Sequence, residues 1–172
     1  MSPTNFGLLA NDNLPSREYI VAMCKEAGYD RTGIPFPNQP GKDIVAWIKY
    51  GGNVTMAEAL TQDWVAMDLN AKPEAAVRVP RVYNAFSSPG AYFPIGYIVM
   101  EYIDAPDCTM KDFKLVAQAV QTLISIRGPS SAPGPVGGGR VVHTFFVDDR
   151  ISPITYETVE ELQQHVNVVS EQ

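Results

Sequence analysis

The sequence contains few cysteines and no long apolar run, and both shortages exclude classes of protein. Cys24 and Cys108 are the only cysteines among 172 residues, whereas a small secreted fold held by disulfides carries several at close spacing. No window approaches the roughly 18 apolar residues that a membrane-spanning helix needs. The first fourteen residues also lack the basic start and the apolar run of a signal peptide. We therefore expect a cytoplasmic protein without a membrane partner.

Basic residues are scarce relative to acidic ones. Thirteen Lys and Arg against nineteen Asp and Glu give a net charge of −6. Nucleic acids and anionic membranes attract basic patches, so this charge argues against nucleic acid as a partner. The chain is nevertheless rich in core-forming residues, since 45% of it is hydrophobic and 19% is charged. That balance is typical of a globular fold rather than of a disordered segment.

Hydrophobic periodicity and turn residues predict an irregular alternation of helices and strands. Helices are predicted over 16–27, 55–71, 109–126 and 158–168, and strands over 43–50, 79–86, 95–103 and 141–147, with a short extended piece at 34–36. Pro80 predicts that its strand either lies at a sheet edge or begins after the proline. Because helices and strands do not alternate regularly, the predicted fold class is α+β rather than a doubly wound sheet.

Apolar stripes mark the helix faces that need to be covered. In the first helix the stripe is Ile20, Met23, Cys24 and Ala27, and in the second it is Met56, Leu60, Trp64, Met67 and Ala71. In the helix over 109–126 the stripe is Phe113, Val116, Ala117, Val120, Leu123 and Ile124. The spacing of Thr55 and Glu58, and that of Thr158 and Glu161, predicts a capping box at two helix starts.

A lysine and a glutamate on neighbouring elements form the first candidate site. Lys49 ends an apolar strand, where its ammonium either reaches water or meets an anion. Glu58 lies one turn into the next helix, so the fold could bring the two together and present a fixed ammonium to a phosphate. Two simpler interpretations compete with this one. Lys49 can be a solvated strand-end residue, and the Glu58 carboxylate can serve the capping box with Thr55.

Five segments in order carry a resemblance to a known family. They are VAWIKYGGNVTMAEA, RVPRVYNAF, GYIVMEYIDA, PGPVGGGRVVHTFF and VEELQQHVN. The series resembles the aminoglycoside/choline phosphotransferase group of the protein-kinase-like superfamily, and in particular its fungal branch. The resemblance implies a kinase-like small lobe over 1–104, an antiparallel sheet with a packed helix and an extra N-terminal helix. It also implies that 105–172 holds helices of an incomplete large lobe.

The resemblance also implies site residues and a cofactor. Lys49 matches the lysine that holds nucleotide phosphates in that family, and Glu58 matches its helix partner. The segment formed by Met100, Glu101, Tyr102 and Ile103 matches the hinge, whose backbone groups bind the adenine edge. ATP is therefore the cofactor that the resemblance implies.

The sequence departs from the family at the catalytic residues. The family uses an H-x-D-x-x-x-x-N loop followed by a metal-binding aspartate, but neither His143 nor His165 is followed by an aspartate two residues later. We therefore predict no metal site and no phosphoryl transfer by this chain alone. The expected protein is a truncated, phosphotransferase-like chain that binds a nucleotide or another small molecule.

Two alternatives remain open at this point. The chain could be a repurposed enzyme, of the cyclase or isomerase type, in a fungal biosynthetic pathway, with a pocket lined by Lys49, Glu58, Tyr102 and His143. It could instead dock on a full-length relative. An incomplete large lobe would leave apolar area exposed on the helix over 109–126 and near Cys108, or would pair it with a second copy in a homo-oligomer.

Overall fold

A computed structural model describes residues 14–37, 43–146 and 150–170 of the chain. Its elements, in chain order, are α1 (Arg17–Ala27), β1 (Gly33–Pro37), β2 (Ile44–Gly51), α2 (Met56–Asn70), β3 (Val82–Ser88), β4 (Ile95–Met100), α3 (Phe113–Ser125) and α4 (Val159–Ser170). A 3₁₀ turn at Met110–Asp112 leads into α3. The predicted α+β class is confirmed. Among the described helices, none is both long enough and apolar enough to cross a membrane.

The four strands form one antiparallel sheet in the order β1-β2-β4-β3. All six residues of β4 are buried, because this strand has a neighbour on each side and helices near both faces. β3 lies at the edge and begins at Val82, after Pro80. Both alternatives that the proline predicted therefore hold. The predicted boundary near residue 104 falls in the extended segment 101–109, which follows β4.

The sheet separates two apolar clusters. One face packs against α1 and contains the aromatic rings of Tyr50, Tyr97 and Phe86, with Phe86 and Tyr97 stacked at 4.9 Å between ring centroids. The other face lies under α2 and contains Val82, Ala85, Ile98 and Met100, together with Val54 and Ala59 from the α2 side. Because side chains alternate along a strand, this division decides which residues of β2 can reach α2.

Helix α1 follows its predicted pattern. Ser16 is the N-cap, and its side-chain oxygen accepts a hydrogen bond from the backbone N–H of Tyr19 at 3.3 Å. Gly28 ends the helix with φ of 88° and donates its N–H to the carbonyl of Cys24 at 3.1 Å. Ile20 and Cys24 are fully buried in the first cluster. The cap residues and the stripe therefore predicted both the bounds and the buried face.

The predicted buried face of α2 is wrong. Met56 and Met67 are exposed, and the residues that pack inward are Ala59, Asp63, Ala66 and Leu69. The small side chains of Ala59 and Ala66 are buried, and of the predicted stripe Leu60 and Trp64 are only half-buried. A prediction based on the largest hydrophobic residues could not detect this face, because it contains a charged residue and two alanines.

The prediction for the chain after β4 is partly correct. β4 ends at Met100 rather than at Ile103. The strand predicted over 141–147 is wrong, because the described residues there form only an isolated bridge between Val142 and Ile151; residue 147 itself lies outside the described residues. The last helix is present. Its first turn is capped by Thr158, whose side-chain oxygen accepts from the N–H of Glu161 at 3.2 Å, while the Glu161 carboxylate accepts from the N–H of Glu157 at 2.8 Å.

Candidate functional site

Lys49 and Glu58 form an ion pair between the sheet and α2. Lys49 lies opposite Ile98 of β4 in the strand register, which places it on the face that α2 covers. The Lys49 ammonium donates to the Glu58 carboxylate, which projects from the first turn of the helix. The side chains of the pair are 38% and 33% exposed, so both charges keep contact with solvent. We call this contact the lysine–glutamate pair.

The sequence left open whether Glu58 caps α2 or binds Lys49. In the structure it does both, through different atoms. The backbone N–H of Glu58 donates to the Thr55 side-chain oxygen at 3.1 Å, which caps α2. The carboxylate binds Lys49 instead of completing a capping box. One residue therefore starts the helix through its backbone and holds the lysine through its side chain.

A glycine in β4 sets the position of the loop that leads into α2. A Cβ atom on Gly96 would lie 1.9 Å from the carbonyl oxygen of Val54. Such a distance is far below van der Waals contact, so only glycine allows this loop to lie against the strand. Since the loop ends at Thr55, the close approach fixes where α2 begins and hence where Glu58 lies.

The predicted hinge segment begins where β4 meets the chain that precedes β3. The backbone N–H of Glu101 donates to the carbonyl of Arg81 at 2.9 Å. The Glu101 carboxylate binds the Arg78 guanidinium and accepts from the N–H of Arg81 at 3.4 Å. Met100 is buried, whereas Tyr102 and Ile103 are half-buried in an extended segment. The start of the hinge segment is thus held in place, and its later residues are partly accessible.

Gln62 connects α2 to the hinge segment. Its side-chain amide nitrogen donates to the carbonyl of Pro80 at 3.0 Å and contacts the sulfur of Met100 at 3.3 Å. Gln62 lies one turn after Glu58 on the same side of α2. The lysine–glutamate pair and the hinge segment are therefore joined through one helix face.

An open cleft of about 610 Å³ runs along this side of α2. Its walls are the first two turns of α2, the loop before them, and parts of the segment 134–142. The polar lining residues are Asn53, Thr55, Glu58, Thr61 and Gln62, and the apolar ones are Ala57, Pro135, Val141 and Val142. The N–H of Val136 donates to the Thr61 hydroxyl at 3.0 Å, which ties the far wall to the helix. We call this space the α2 cleft.

The four residues expected in an acid–base pocket are not all brought together at the α2 cleft. Glu58 lines it and binds Lys49, but Lys49, Tyr102 and His143 are not themselves among its lining residues. His143 is exposed, and its ring Nδ1 accepts a hydrogen bond from the N–H of Phe145 in its own loop at 3.1 Å. The cleft therefore gives no support to the cyclase or isomerase hypothesis.

A buried aspartate beside the site was not predicted from the sequence. Asp63 is 1% exposed, and its Oδ1 accepts from the Arg81 guanidinium at 3.0 Å and from the backbone N–H of Val82 at 3.3 Å. Its second oxygen, Oδ2, is buried and has no hydrogen-bond partner among the described residues. Asp63 lies between Ala59 and Ala66 on one face of α2. An acidic residue on a face that otherwise has small apolar side chains was the sequence signal for this buried aspartate.

Within the described ranges, no three His, Cys, Asp or Glu side chains are grouped as they would be around a metal ion. Searches of protein-family models, of curated proteins and of solved structures find no match to the chain. The likeness to the phosphotransferase group therefore remains a prediction that depends on the five sequence segments.

Proposed function

We propose that the chain binds a nucleotide, with the phosphates at Lys49 and the base beside the hinge segment. The observation that carries this proposal is the lysine–glutamate pair, which holds an ammonium at a set position between β2 and α2. The order of elements also supports it, because the lysine strand, the glutamate helix and two further strands occur in the sequence that the resemblance implies.

The chemistry of the pair suits a phosphate. An ammonium has three donors, and Glu58 engages it on one side while the Lys49 side chain remains 38% exposed. Phosphate oxygens accept charge-assisted hydrogen bonds from lysine. Because the carboxylate orients the lysine before the ligand arrives, little side-chain entropy is lost on binding.

The hinge segment suits the edge of a base. The N–H of Glu101 is already bonded to Arg81, and the Glu101 side chain binds Arg78. These contacts orient the backbone that continues into Tyr102 and Ile103. The α2 cleft of about 610 Å³ adjoins Lys49 through Glu58 and the hinge segment through Gln62. Its size is within the range of about 300–1,000 Å³ that small-molecule sites occupy.

We propose binding without phosphoryl transfer by this chain. Transfer in the family depends on acidic and amide side chains that hold magnesium and position the acceptor. The sequence contains neither the H-x-D-x-x-x-x-N pattern nor a later acidic motif of that type. Its residues would therefore hold the phosphates through Lys49 and leave them intact.

Thermal-shift and calorimetric titrations with ATP test the proposal, with and without magnesium. Binding to the native state raises the melting temperature by linkage. Lys49→Ala is expected to weaken ATP binding by about tenfold or more, equivalent to roughly 1.4 kcal/mol. Lys72→Ala is the matched control, because Lys72 also pairs with an α2 carboxylate, that of Asp68, away from the site. That variant should bind ATP like the wild type.

Two results would overturn the proposal. One is a wild-type protein whose melting temperature and titration heats do not change at millimolar ATP. The other is an equal loss of affinity in Lys49→Ala and Lys72→Ala, which would mean that general positive charge, rather than the ammonium held by Glu58, attracts the nucleotide.

A further inference from the structure

A separate cavity of about 370 Å³ lies within the proline- and glycine-rich segment 128–139. Thr155 and Tyr156 complete its wall. None of the described residues that line it carries a charged side chain, and the side chains of Pro129, Ala132 and Val136 contribute apolar surface. We call this space the Pro/Gly cavity. It shares only Gly134 and Pro135 with the α2 cleft.

The wall of this cavity is held to the rest of the fold. The N–H of Val136 donates to the Thr61 hydroxyl of α2 at 3.0 Å, and the N–H of Gly138 donates to the carbonyl of Pro135 at 3.0 Å. Gly137 has φ of 91°, and a Cβ there would lie 3.2 Å from a methyl carbon of Leu60. Proline residues in the wall restrict the backbone further. The cavity is therefore largely formed before any ligand binds.

Tyr156 lies in the wall of the cavity and is held in place by α4. The residue is 1% exposed, and its hydroxyl lies 3.1 Å from Nδ1 of His165 in α4. The His165 ring stands edge-on to Tyr156 and to Phe146, at 5.8 and 6.2 Å between centroids. The hydrogen bond and these ring contacts fix the orientation of the tyrosine side chain.

We propose that the Pro/Gly cavity binds an uncharged, apolar small molecule. Binding of such a ligand removes apolar surface of the ligand and of the cavity from water, which favours the complex. A charged molecule would lose part of its hydration and find no opposite charge among the lining residues, so it should bind more weakly. This site is therefore distinct from the nucleotide site at Lys49, which requires an anionic ligand.

Nuclear magnetic resonance titration with 1-naphthol and with naphthalene-1-sulfonate tests the proposal. Naphthol is expected to shift the amide signals of the segment 128–139 and of Tyr156. The affinity for the sulfonate should be lower than the affinity for naphthol by at least about tenfold. Ala132→Trp places an indole into the cavity and should lower naphthol affinity by about tenfold or more. Ser131→Trp is the matched control, because Ser131 is exposed and does not line the cavity.

The outcomes separate this proposal from the nucleotide proposal. Lys49→Ala should bind naphthol like the wild type, whatever its affinity for ATP. Absence of shifts at millimolar naphthol, equal binding of both probes, or an equal effect of the two tryptophan variants would overturn the proposal. If the spectrum of Ala132→Trp loses its dispersion, the variant is unfolded and Ala132→Leu is measured instead. A folded Ala132→Leu variant that binds naphthol with wild-type affinity would also count against the proposal.

Discussion

Two regions of the molecule differ in how many of their apolar side chains are buried. In the sheet region, residues 14–100, strands and helices bury their apolar faces in two clusters. In the C-terminal region, residues 101–170, the buried residues among those whose side chains are described are Val136, Phe146, Ser152 and Tyr156. The difference is clearest between two helices, because α2 buries four residues whereas α3 buries none among its described side chains.

Helix α3 has the stronger apolar stripe but makes the weaker contacts. Its residues Phe113, Leu115, Val116, Val120, Leu123 and Ile124 are between 41% and 70% exposed. Apolar area on this helix was expected either to be exposed or to pair with a second copy, and in the structure it is exposed. An apolar stripe therefore indicates that a helix has a face to cover, but it does not identify the covering surface.

The same substitution in the two regions gives the largest expected contrast. Ile48→Ala removes a fully buried side chain from β2 and should lower the free energy of unfolding by about 4 kcal/mol. Ile124→Ala removes a side chain that is 70% exposed and should cost less than about 0.5 kcal/mol. Urea denaturation at low protein concentration measures both values. A large cost for Ile124→Ala would show that the α3 face is covered in solution and would remove the contrast between the regions.

Two aspartates of α2 provide the next comparison. Asp63→Ala removes the buried carboxylate that accepts from the half-buried Arg81 guanidinium and from the N–H of Val82, and should cost about 3 kcal/mol. Asp68 forms an exposed i,i+4 pair with Lys72, so Asp68→Ala should cost less than about 0.5 kcal/mol. The measurement is again urea denaturation. Equal costs would mean that Asp63 is not a structural anchor between α2 and β3.

The sequence predicted those features that depend on local periodicity. A lysine at the end of β2 and a glutamate one turn into α2 predicted that the fold could bring Lys49 near Glu58, and the structure pairs them. The position of Glu58 also depends on a remote contact, the close approach of Val54 to Gly96. The cap residues Ser16 and Gly28 predicted the bounds of α1. These caps are set by residues close in sequence, so a pattern can reveal them.

Other features depend on contacts between distant segments, and the sequence did not predict them. The inward face of α2 is set by how closely the helix approaches β3, which alanine at positions 59 and 66 permits. Asp63 can be buried there only because Arg81 and Val82 arrive from another element. The segment 141–146 has strand-like composition, but the described chain offers it only one bridging partner, Ile151. In each case the deciding residue is remote in sequence.

The two free cysteines give the smallest effect, which depends on pH. Burial raises the pKa of the Cys24 thiol from 9.0 to about 12, whereas Cys108 lies exposed in the C-terminal region. In the unfolded chain the Cys24 thiol ionises near pH 9.0, but the folded protein keeps the proton until about pH 12. The unfolded state therefore binds fewer protons between these values. The contribution of Cys24 to stability is full below pH 9 and is lost as the pH rises toward 12.

Denaturation of the reduced protein at pH 8 and at pH 10 measures this contribution. The wild type should lose about 1 kcal/mol more than Cys24→Ala between the two pH values. Cys108→Ala should behave like the wild type. A smaller alkaline loss should remain in Cys24→Ala, because burial also raises the pKa values of Tyr50 and Tyr97 in the same cluster. If Cys108→Ala instead abolishes the extra loss of stability between pH 8 and pH 10, the exposed cysteine is responsible for that loss. The expected contrast between buried Cys24 and exposed Cys108 would then be wrong.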